Sequence, residues 1–163
     1  YKNYESPKFS LSGNLCFSIY ETINLTEIIG ATDCIDGDIT KSIIVTSEDY
    51  TKSVAGVFDL EISVSNSKGD TSVINVPLVV EDRSVSAPKI ELSEYLIYVK
   101  PGAKVDFSKY LVRAQDRLQN GLTSNVRIET NADLTKEGTY GVHYYVEDEN
   151  GVQGHTILNV IVG

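Results

Sequence analysis

A segment of fourteen residues recurs in this chain with its strand pattern intact. The first copy runs from Gly56 to Gly69 and the second from Gly138 to Gly151, so both glycine pairs are 82 residues apart. The apolar residues alternate in the same phase in the two copies. A repeat of this length that contains strand signals and little else predicts tandem β modules.

Apolar residues are spaced by two through most of the chain. In the first copy Phe58, Leu60 and Ile62 alternate with polar residues, and Tyr140 and Val142 begin the equivalent series in the second copy. This period is typical of antiparallel sheets that bury one face and leave the other exposed to solvent. Six or seven short strands per repeat predict an all-β protein built as two sandwiches.

The two halves also begin alike, since Pro7-Lys8 is matched by Pro88-Lys89. The short polar segment 81–87 lies between the halves and is interpreted as a linker. We therefore predict two modules, residues 1–82 and residues 83–163. Because the linker is brief, we expect the modules to stand end to end as a semi-rigid rod, and we expect a monomer.

Composition and charge exclude several classes of function. The chain has 14 Lys+Arg against 23 Asp+Glu, which gives a net charge of −9 at pH 7. It lacks the clustered basic residues that nucleic acids and anionic membranes attract. No apolar run approaches the roughly 20 residues that span a bilayer. We expect no nucleic-acid partner and no membrane insertion.

The first half contains a motif that resembles a known family. The run from Ala31 to Thr40 reads Ala-Thr-Asp-Cys-Ile-Asp-Gly-Asp-Ile-Thr, and a Gly-x-aromatic strand and a glycine turn follow it. This order is similar to the immunoglobulin-like repeats of bacterial surface proteins, which are related to hyalin-repeat modules. The second half keeps the two tyrosines of the family pattern, Tyr140 and Tyr144, but lacks the Asp-Gly-Asp core.

This resemblance implies two tandem immunoglobulin-like β-sandwich domains in a secreted, cell-surface or cell-wall protein, often of a Gram-positive bacterium. Such repeats are spacers or adhesive segments and have no catalytic residues to carry over. The implied function is a non-enzymatic stalk, with an adhesin as an extension, and the ligand is an unknown protein or glycan. Two alternatives stay open: a carbohydrate-binding accessory module of an extracellular enzyme, and an adhesion rod stiffened by Ca²⁺.

Three aspartates, Asp33, Asp36 and Asp38, are the candidate metal ligands. Carboxylates around a glycine offer the hard oxygen ligands that Ca²⁺ takes, and Glu81 and Asp82 at the module junction could add to a nearby site. Aspartates in glycine turns also cap backbone N–H groups without any metal. The second half lacks the Asp-Gly-Asp core, which favours capping, and no other cofactor is expected.

The two cysteines, Cys16 and Cys34, both belong to the first module. They could form a disulfide if their Cα atoms lie within about 7 Å, and the sequence does not fix that distance. Two cysteines without paired ligands do not indicate zinc. A catalytic thiol needs a nearby base, and both histidines, His143 and His155, belong to the second module.

One tyrosine has a predicted structural role. Tyr140 follows Gly138 by two residues, which fits a tyrosine corner, in which the phenol hydroxyl bonds the backbone a few residues upstream. Gly56 is the equivalent glycine of the first module. Phe58 has no hydroxyl, so the first module is expected to lack this bond.

An aromatic surface for sugar binding is also considered. His143 and Tyr145 alternate outward on one strand, and Tyr95 or Tyr98 could complete a patch that stacks on a sugar ring. An intramolecular isopeptide bond is disfavoured, because Asn159 is expected to face outward rather than lie buried.

Overall fold

The structure is a computed structural model that describes residues 3–47 and 54–163. Within those ranges the regular structure consists of β-strands and short 3-10 turns, which confirms the all-β prediction. The strands of the first half are β1 (Lys8–Leu11), β2 (Cys16–Ser18), β3 (Ile29–Asp33), β4 (Gly37–Asp38), β5 (Ile44–Ser47), β6 (Gly56–Ser65) and β7 (Thr71–Glu81). Those of the second half are β8 (Lys89–Leu92), β9 (Leu96–Val99), β10 (Leu111–Gln115), β11 (Arg127–Thr130), β12 (Gly138–Glu147) and β13 (Gln153–Val162).

The two halves repeat one topology. The larger sheet has the order β2-β7-β6-β5 in the first half and β9-β13-β12-β11 in the second, and the smaller sheets are β1-β3-β4 and β8-β10. In both halves the short first strand of the larger sheet pairs in parallel with the last strand, and the long hairpin is antiparallel. The order and the pairing of the larger sheet are therefore the same in both halves. No helix in the described part of the chain is long and apolar enough to cross a membrane.

Each half has its own cluster of buried apolar side chains. The first cluster includes Leu60, Ile62 and Leu78, and the second includes Tyr144 and Leu158, all with no exposed surface. These residues are inward positions of the long hairpins, where a period of two places alternate side chains on one face. Two sheets close over each cluster, as in a sandwich. The boundary between residues 82 and 83 stays a prediction.

Strand β13 is buried on both of its faces. Every residue from 154 to 160 is buried. Leu158 and Val160 belong to the cluster of the second half. The alternate residues point away from that cluster, and yet Ile157 is only 2% exposed and Asn159 only 1% exposed. The outward face of β13 is therefore covered, and the expectation that Asn159 faces solvent is wrong.

The first half of the chain covers this outward face of β13. Leu96 of β9 belongs to the first-half cluster, and Ile161 of β13 packs against it. The Tyr98 hydroxyl accepts a hydrogen bond from the Phe9 backbone N–H at 2.8 Å. These contacts place the halves side by side along β9 and β13. The predicted end-to-end arrangement is wrong, because a face that the repeat pattern assigns to solvent serves as a contact surface.

The glycines that open the long hairpins lie beside the aromatic ring two residues later, and at Gly138 the backbone conformation also favours glycine. Gly138 has a φ of 151°, and a Cβ there would lie 3.5 Å from the Tyr140 hydroxyl oxygen. A Cβ at Gly56 would lie 3.2 Å from the Phe58 ring. The Tyr140 hydroxyl donates to the Lys136 carbonyl oxygen at 3.0 Å, which confirms the bond of a tyrosine corner.

Replacing Tyr140 by Phe removes that hydrogen bond and leaves the ring over Gly138. We expect the free energy of unfolding to fall by about 0.5–1.5 kcal/mol, the net contribution of one such bond, as measured by urea denaturation. Tyr20→Phe is the matched control, because Tyr20 is 67% exposed and its loss of a hydroxyl should change nothing. Equal losses in the two variants would refute the assigned role.

Candidate functional site at the contact between the halves

Three ionisable side chains meet where the two halves touch. Cys16 begins β2, Glu81 ends β7, and His155 lies near the start of β13. The parallel pairing of β2 with β7 sets Cys16 opposite Val79, two residues before Glu81, so the thiol and the carboxylate reach the same side of the sheet. β13 of the second half then brings the imidazole against both of them.

The three ligand-type atoms form a small triangle. Cys16 Sγ donates to Glu81 Oε1 at 2.8 Å and lies 3.4 Å from His155 Nδ1, while His155 Nδ1 and Glu81 Oε1 are 3.1 Å apart. Cys16 is 3% exposed and His155 is 7% exposed, whereas the Glu81 side chain keeps 33% of its surface. The triangle is thus buried on two corners and open to solvent at the third.

The other ring nitrogen of His155 is also engaged. His155 Nε2 lies 2.8 Å from His143 Nδ1, and the Tyr145 ring stacks on His155 with centroids 4.4 Å apart. The Arg127 guanidinium lies over the Tyr145 ring, 5.0 Å from its centroid. The orientation of the imidazole is therefore fixed from both nitrogens and from one face. We call Cys16, Glu81, His155 and His143 the junction cluster.

Two polar side chains, Asn14 of the first half and Arg83 of the linker segment, hold the backbones together around this cluster. Arg83 donates to the carbonyl oxygens of His155 at 3.1 Å and Cys16 at 3.2 Å. Asn14 donates to the same His155 carbonyl at 3.2 Å, and its Oδ1 accepts from the Ile157 N–H at 3.2 Å. Main-chain groups of β13 are thus satisfied by side chains of the first half and of the linker, as buried backbone groups require.

The electrostatics of the cluster follow from these contacts. The hydrogen bond from His155, helped by that from Cys16, lowers the pKa of Glu81 to about 2 against the opposing effect of burial. Burial and the neighbouring Glu81 carboxylate raise the pKa of the Cys16 thiol. Burial, together with His155, lowers the pKa of His143. At neutral pH the cluster holds a carboxylate, a protonated thiol and a neutral His143.

This arrangement does not have the geometry of a cysteine hydrolase. A catalytic triad places the nucleophile on one ring nitrogen of the histidine and the carboxylate on the other. Here Cys16 and Glu81 both approach Nδ1 of His155, and Nε2 is turned to His143. The nucleophile of such enzymes is a thiolate, whereas the pKa of Cys16 is raised. The cluster supports binding better than catalysis.

The sequence did not predict this cluster. His155 was set aside as a partner for the thiol because it lies in the other half, and that inference is wrong because the halves pack side by side. A signal was present in β13, where Ile157, Leu158, Val160 and Ile161 are apolar at both parities. A strand with apolar residues at both parities is typical of burial on both faces.

The two cysteines are free thiols and lie in different environments. Cys16 is buried in the junction cluster, whereas Cys34 is exposed and its thiol donates to the Glu5 carbonyl oxygen at 3.3 Å. The disulfide that the sequence left open is therefore not formed in the structure, and each thiol has its own hydrogen-bond partner.

The three predicted aspartates act as backbone caps. Asp33 accepts from the Asp36 N–H at 3.1 Å, Asp36 accepts from the Ser67 N–H at 2.7 Å, and Asp38 accepts from the Thr40 N–H at 3.0 Å. These hydrogen bonds hold the pKa values of Asp36 and Asp38 below their ordinary range. Calcium binding stays a prediction, and the potential ligand set that converges among the described residues is Cys16, Glu81 and His155.

The predicted aromatic patch is divided between two places. Tyr95 and Tyr98 pack against the buried clusters, and their hydroxyls accept from backbone N–H groups. His143 and Tyr145 lie instead in the stack with His155. The four side chains do not form one surface, so the patch as predicted is wrong.

Comparison with known proteins finds two longer relatives. No protein-family model matches the chain. It is 33% identical over 147 residues to the pesticidal crystal protein Cry22Aa of Bacillus thuringiensis, which is 88% of this chain and 19% of that protein. It is 29% identical over 136 residues to an uncharacterised 81.3 kDa protein of Acholeplasma phage L2, with 81% and 18% covered. The chain thus spans about a fifth of the length of these relatives.

Solved structures show a looser likeness. The CBM51-2 and INT domains of Clostridium perfringens ZmpB, determined in complex with GlcNAc, match 96% of this chain and 42% of that chain, with 15% identity and a TM-score of 0.46. The EC1-4 segment of Drosophila N-cadherin matches 98% of this chain and 50% of that chain, with 15% identity and a TM-score of 0.31. Likeness at this level carries no functional information.

The low pKa of Glu81 predicts a pH dependence of stability. A carboxyl whose pKa falls on folding stabilises the folded state above its unfolded pKa, here about 4.5, and loses that effect as the pH falls through about 2. We therefore expect the stability difference between the native chain and Glu81→Gln to be constant at neutral pH and to shrink below about pH 4.5.

Urea denaturation of both chains at a series of pH values measures this difference. The remaining carboxylates cancel in the comparison, because Asp36, Asp38 and the others are present in both chains. A difference that stays flat, or that grows on acidification, would contradict the assigned pairing of Glu81 with His155.

Proposed function

We propose that this chain is a non-enzymatic, tandem immunoglobulin-like spacer of an extracellular bacterial protein, and that its two modules act as one stiff unit. The observation that carries the proposal is the burial of the outward face of β13 against the first half. Two sandwiches joined by the linker alone would leave Ile157 and Asn159 in solvent. A contact of this kind fixes orientation, which is what a spacer has to supply.

The relatives support a modular role. In Cry22Aa and in the phage protein the similar segment is a minor part of a longer chain. A segment similar to this chain therefore occurs inside two longer proteins. We propose the same for this chain, on a secreted or cell-surface protein, with the wall of a Gram-positive bacterium as the location.

The site geometry supports a role without chemistry. The thiol and the carboxylate share one nitrogen of His155, which is unsuited to proton relay. Asp33, Asp36 and Asp38 are engaged in capping hydrogen bonds. A binding or structural function needs neither a nucleophile nor a base, and it is compatible with both observations.

The stiffness of the unit comes from directional contacts in addition to apolar packing. Arg83 and Asn14 donate to main-chain carbonyls on both sides of the contact, and Tyr98 accepts from the backbone of β1. The Arg83 side chain is 14% exposed. Hydrogen bonds of this kind are directional, so they oppose sliding as well as separation of the halves.

The stiff-unit proposal predicts a single distance between the two hairpin turns. Lys68→Cys and Glu149→Cys place spin labels on the equivalent exposed turns of the two halves. A Cys34→Ser background removes the exposed native thiol, and Cys16 stays unlabelled because it is buried. We expect one narrow distance distribution by pulsed electron spin resonance, measured with a chelator present.

The control is the same labelled pair carrying Asn14→Ala and Arg83→Ala. These changes remove the polar ties across the contact, so the distance distribution should broaden. A broad distribution in the parent pair would show that the modules move independently and would overturn the stiff-unit proposal.

A further inference from the structure

We propose that Cys16, Glu81 and His155 bind a divalent transition metal, with Zn²⁺ as the ion that fits the donor set, and that the ion joins the two halves. The proposal goes beyond the spacer function and does not depend on it, because the contact along β13 exists without an ion. The observation that supports the proposal is that one thiol, one carboxylate and one imidazole from three separate strands converge.

The donor set selects the class of metal. A cysteine sulfur with an imidazole nitrogen and a carboxylate oxygen is a ligand combination of Zn²⁺ sites, whereas Ca²⁺ and Mg²⁺ take oxygen ligands. Three protein ligands leave a fourth tetrahedral position for water. The Glu81 side chain, which keeps 33% of its surface, is the corner at which solvent reaches the cluster.

The spacing of the donors is close to what tetrahedral binding needs. With Zn–S of about 2.3 Å and Zn–N and Zn–O of about 2.1 Å, sulfur stands about 3.6 Å from each light atom and N and O stand about 3.4 Å apart. The observed separations are 2.8, 3.1 and 3.4 Å. The donors must therefore move apart by a few tenths of an ångström to at most about 0.8 Å, within the reach of side-chain rotation.

The surroundings supply the second layer of a metal site. A histidine that binds through Nδ1 carries its proton on Nε2, and metal-bound histidines donate that proton to a fixed acceptor. His143 Nδ1 lies 2.8 Å from His155 Nε2 and can be this acceptor.

Charge balance also favours the ion. A Cys16 thiolate and the Glu81 carboxylate together carry two negative charges, which a divalent cation neutralises. The neighbouring cation, Arg83, is held on main-chain carbonyls, with Glu21 at 3.8 Å and Glu81 at 4.0 Å. The thiol must release its proton when it binds the ion.

The ion has a route to the site from two sides. A cavity of about 260 Å³ is lined by Cys16, Arg83 and His155, and a second cavity of about 400 Å³ is lined by Glu81, Arg83 and His155. Each cavity has room for several water molecules, since one water occupies about 30 Å³. The cluster is thus reachable without opening either sandwich.

Cobalt substitution tests the proposal directly. Co²⁺ is added to the reduced, chelator-treated full chain, and absorption spectra are recorded. We expect one Co²⁺ per chain, a sulfur-to-cobalt charge-transfer band in the near ultraviolet and visible bands of tetrahedral intensity. Zn²⁺ should displace the cobalt and remove both sets of bands.

The two cysteines give a matched pair of variants. Cys34→Ser should keep the charge-transfer band, and Cys16→Ser should lose it. His143→Ala should weaken binding by about 10–100-fold while keeping the band, as loss of an outer partner of a ligand does. Because it leaves all three ligands in place, this variant also serves if Cys16→Ser fails to fold.

The absence of a thiolate band in the folded native chain would overturn the proposal. So would a band that disappears with Cys34→Ser and survives in Cys16→Ser. Either result would leave the distance distribution between the labelled turns unchanged, because that measurement is made in chelator. Failure of the metal site and failure of the stiff-unit proposal are therefore distinguishable.

Discussion

Strand β13 is the element on which the remaining architecture depends. It pairs with β12 on one edge and with β9 on the other, and it is buried on both faces. One face closes the sandwich of the second half and the other lies against the first half. Small sandwiches have limited apolar surface to bury. By sharing one strand's outer face, the two halves gain buried surface that neither has alone.

The contact between the halves is also where several ionisable side chains meet. His155 lies near the start of β13, where the Arg83 side chain donates to its carbonyl oxygen. A buried imidazole needs partners for both nitrogens. It finds them in Glu81 and Cys16 on one side and in His143 on the other. The junction cluster is thus a consequence of how the halves meet.

Much of the fold could be predicted from the sequence, because it depends on local patterns. The alternation around Leu60 and Val142 gave the strands, and Tyr140 with Gly138 gave the tyrosine corner. The junction cluster could not be predicted in this way. Cys16 and His155 are separated by 139 residues, and their meeting depends on the relative placement of two modules, which a period of two does not encode.

The aspartate motif shows the opposite case. Its signal is strong in the sequence, and its side chains serve the turn in which they lie: Asp38, for example, caps Thr40 within two residues. Sequence reasoning finds such local roles readily, since donor and acceptor are neighbours in the chain. The junction cluster has the donor set of a transition-metal site, but its residues belong to no sequence motif.

The side-by-side contact is tested most directly by Leu96→Ala, followed by hydrogen exchange and mass spectrometry of the full chain. Leu96 belongs to the second half by sequence and to the buried cluster of the first half by packing. A buried Leu→Ala change costs about 2–5 kcal/mol. Our account predicts faster exchange in β1 and β3 of the first half as well as in β9. Faster exchange confined to the second half would contradict it.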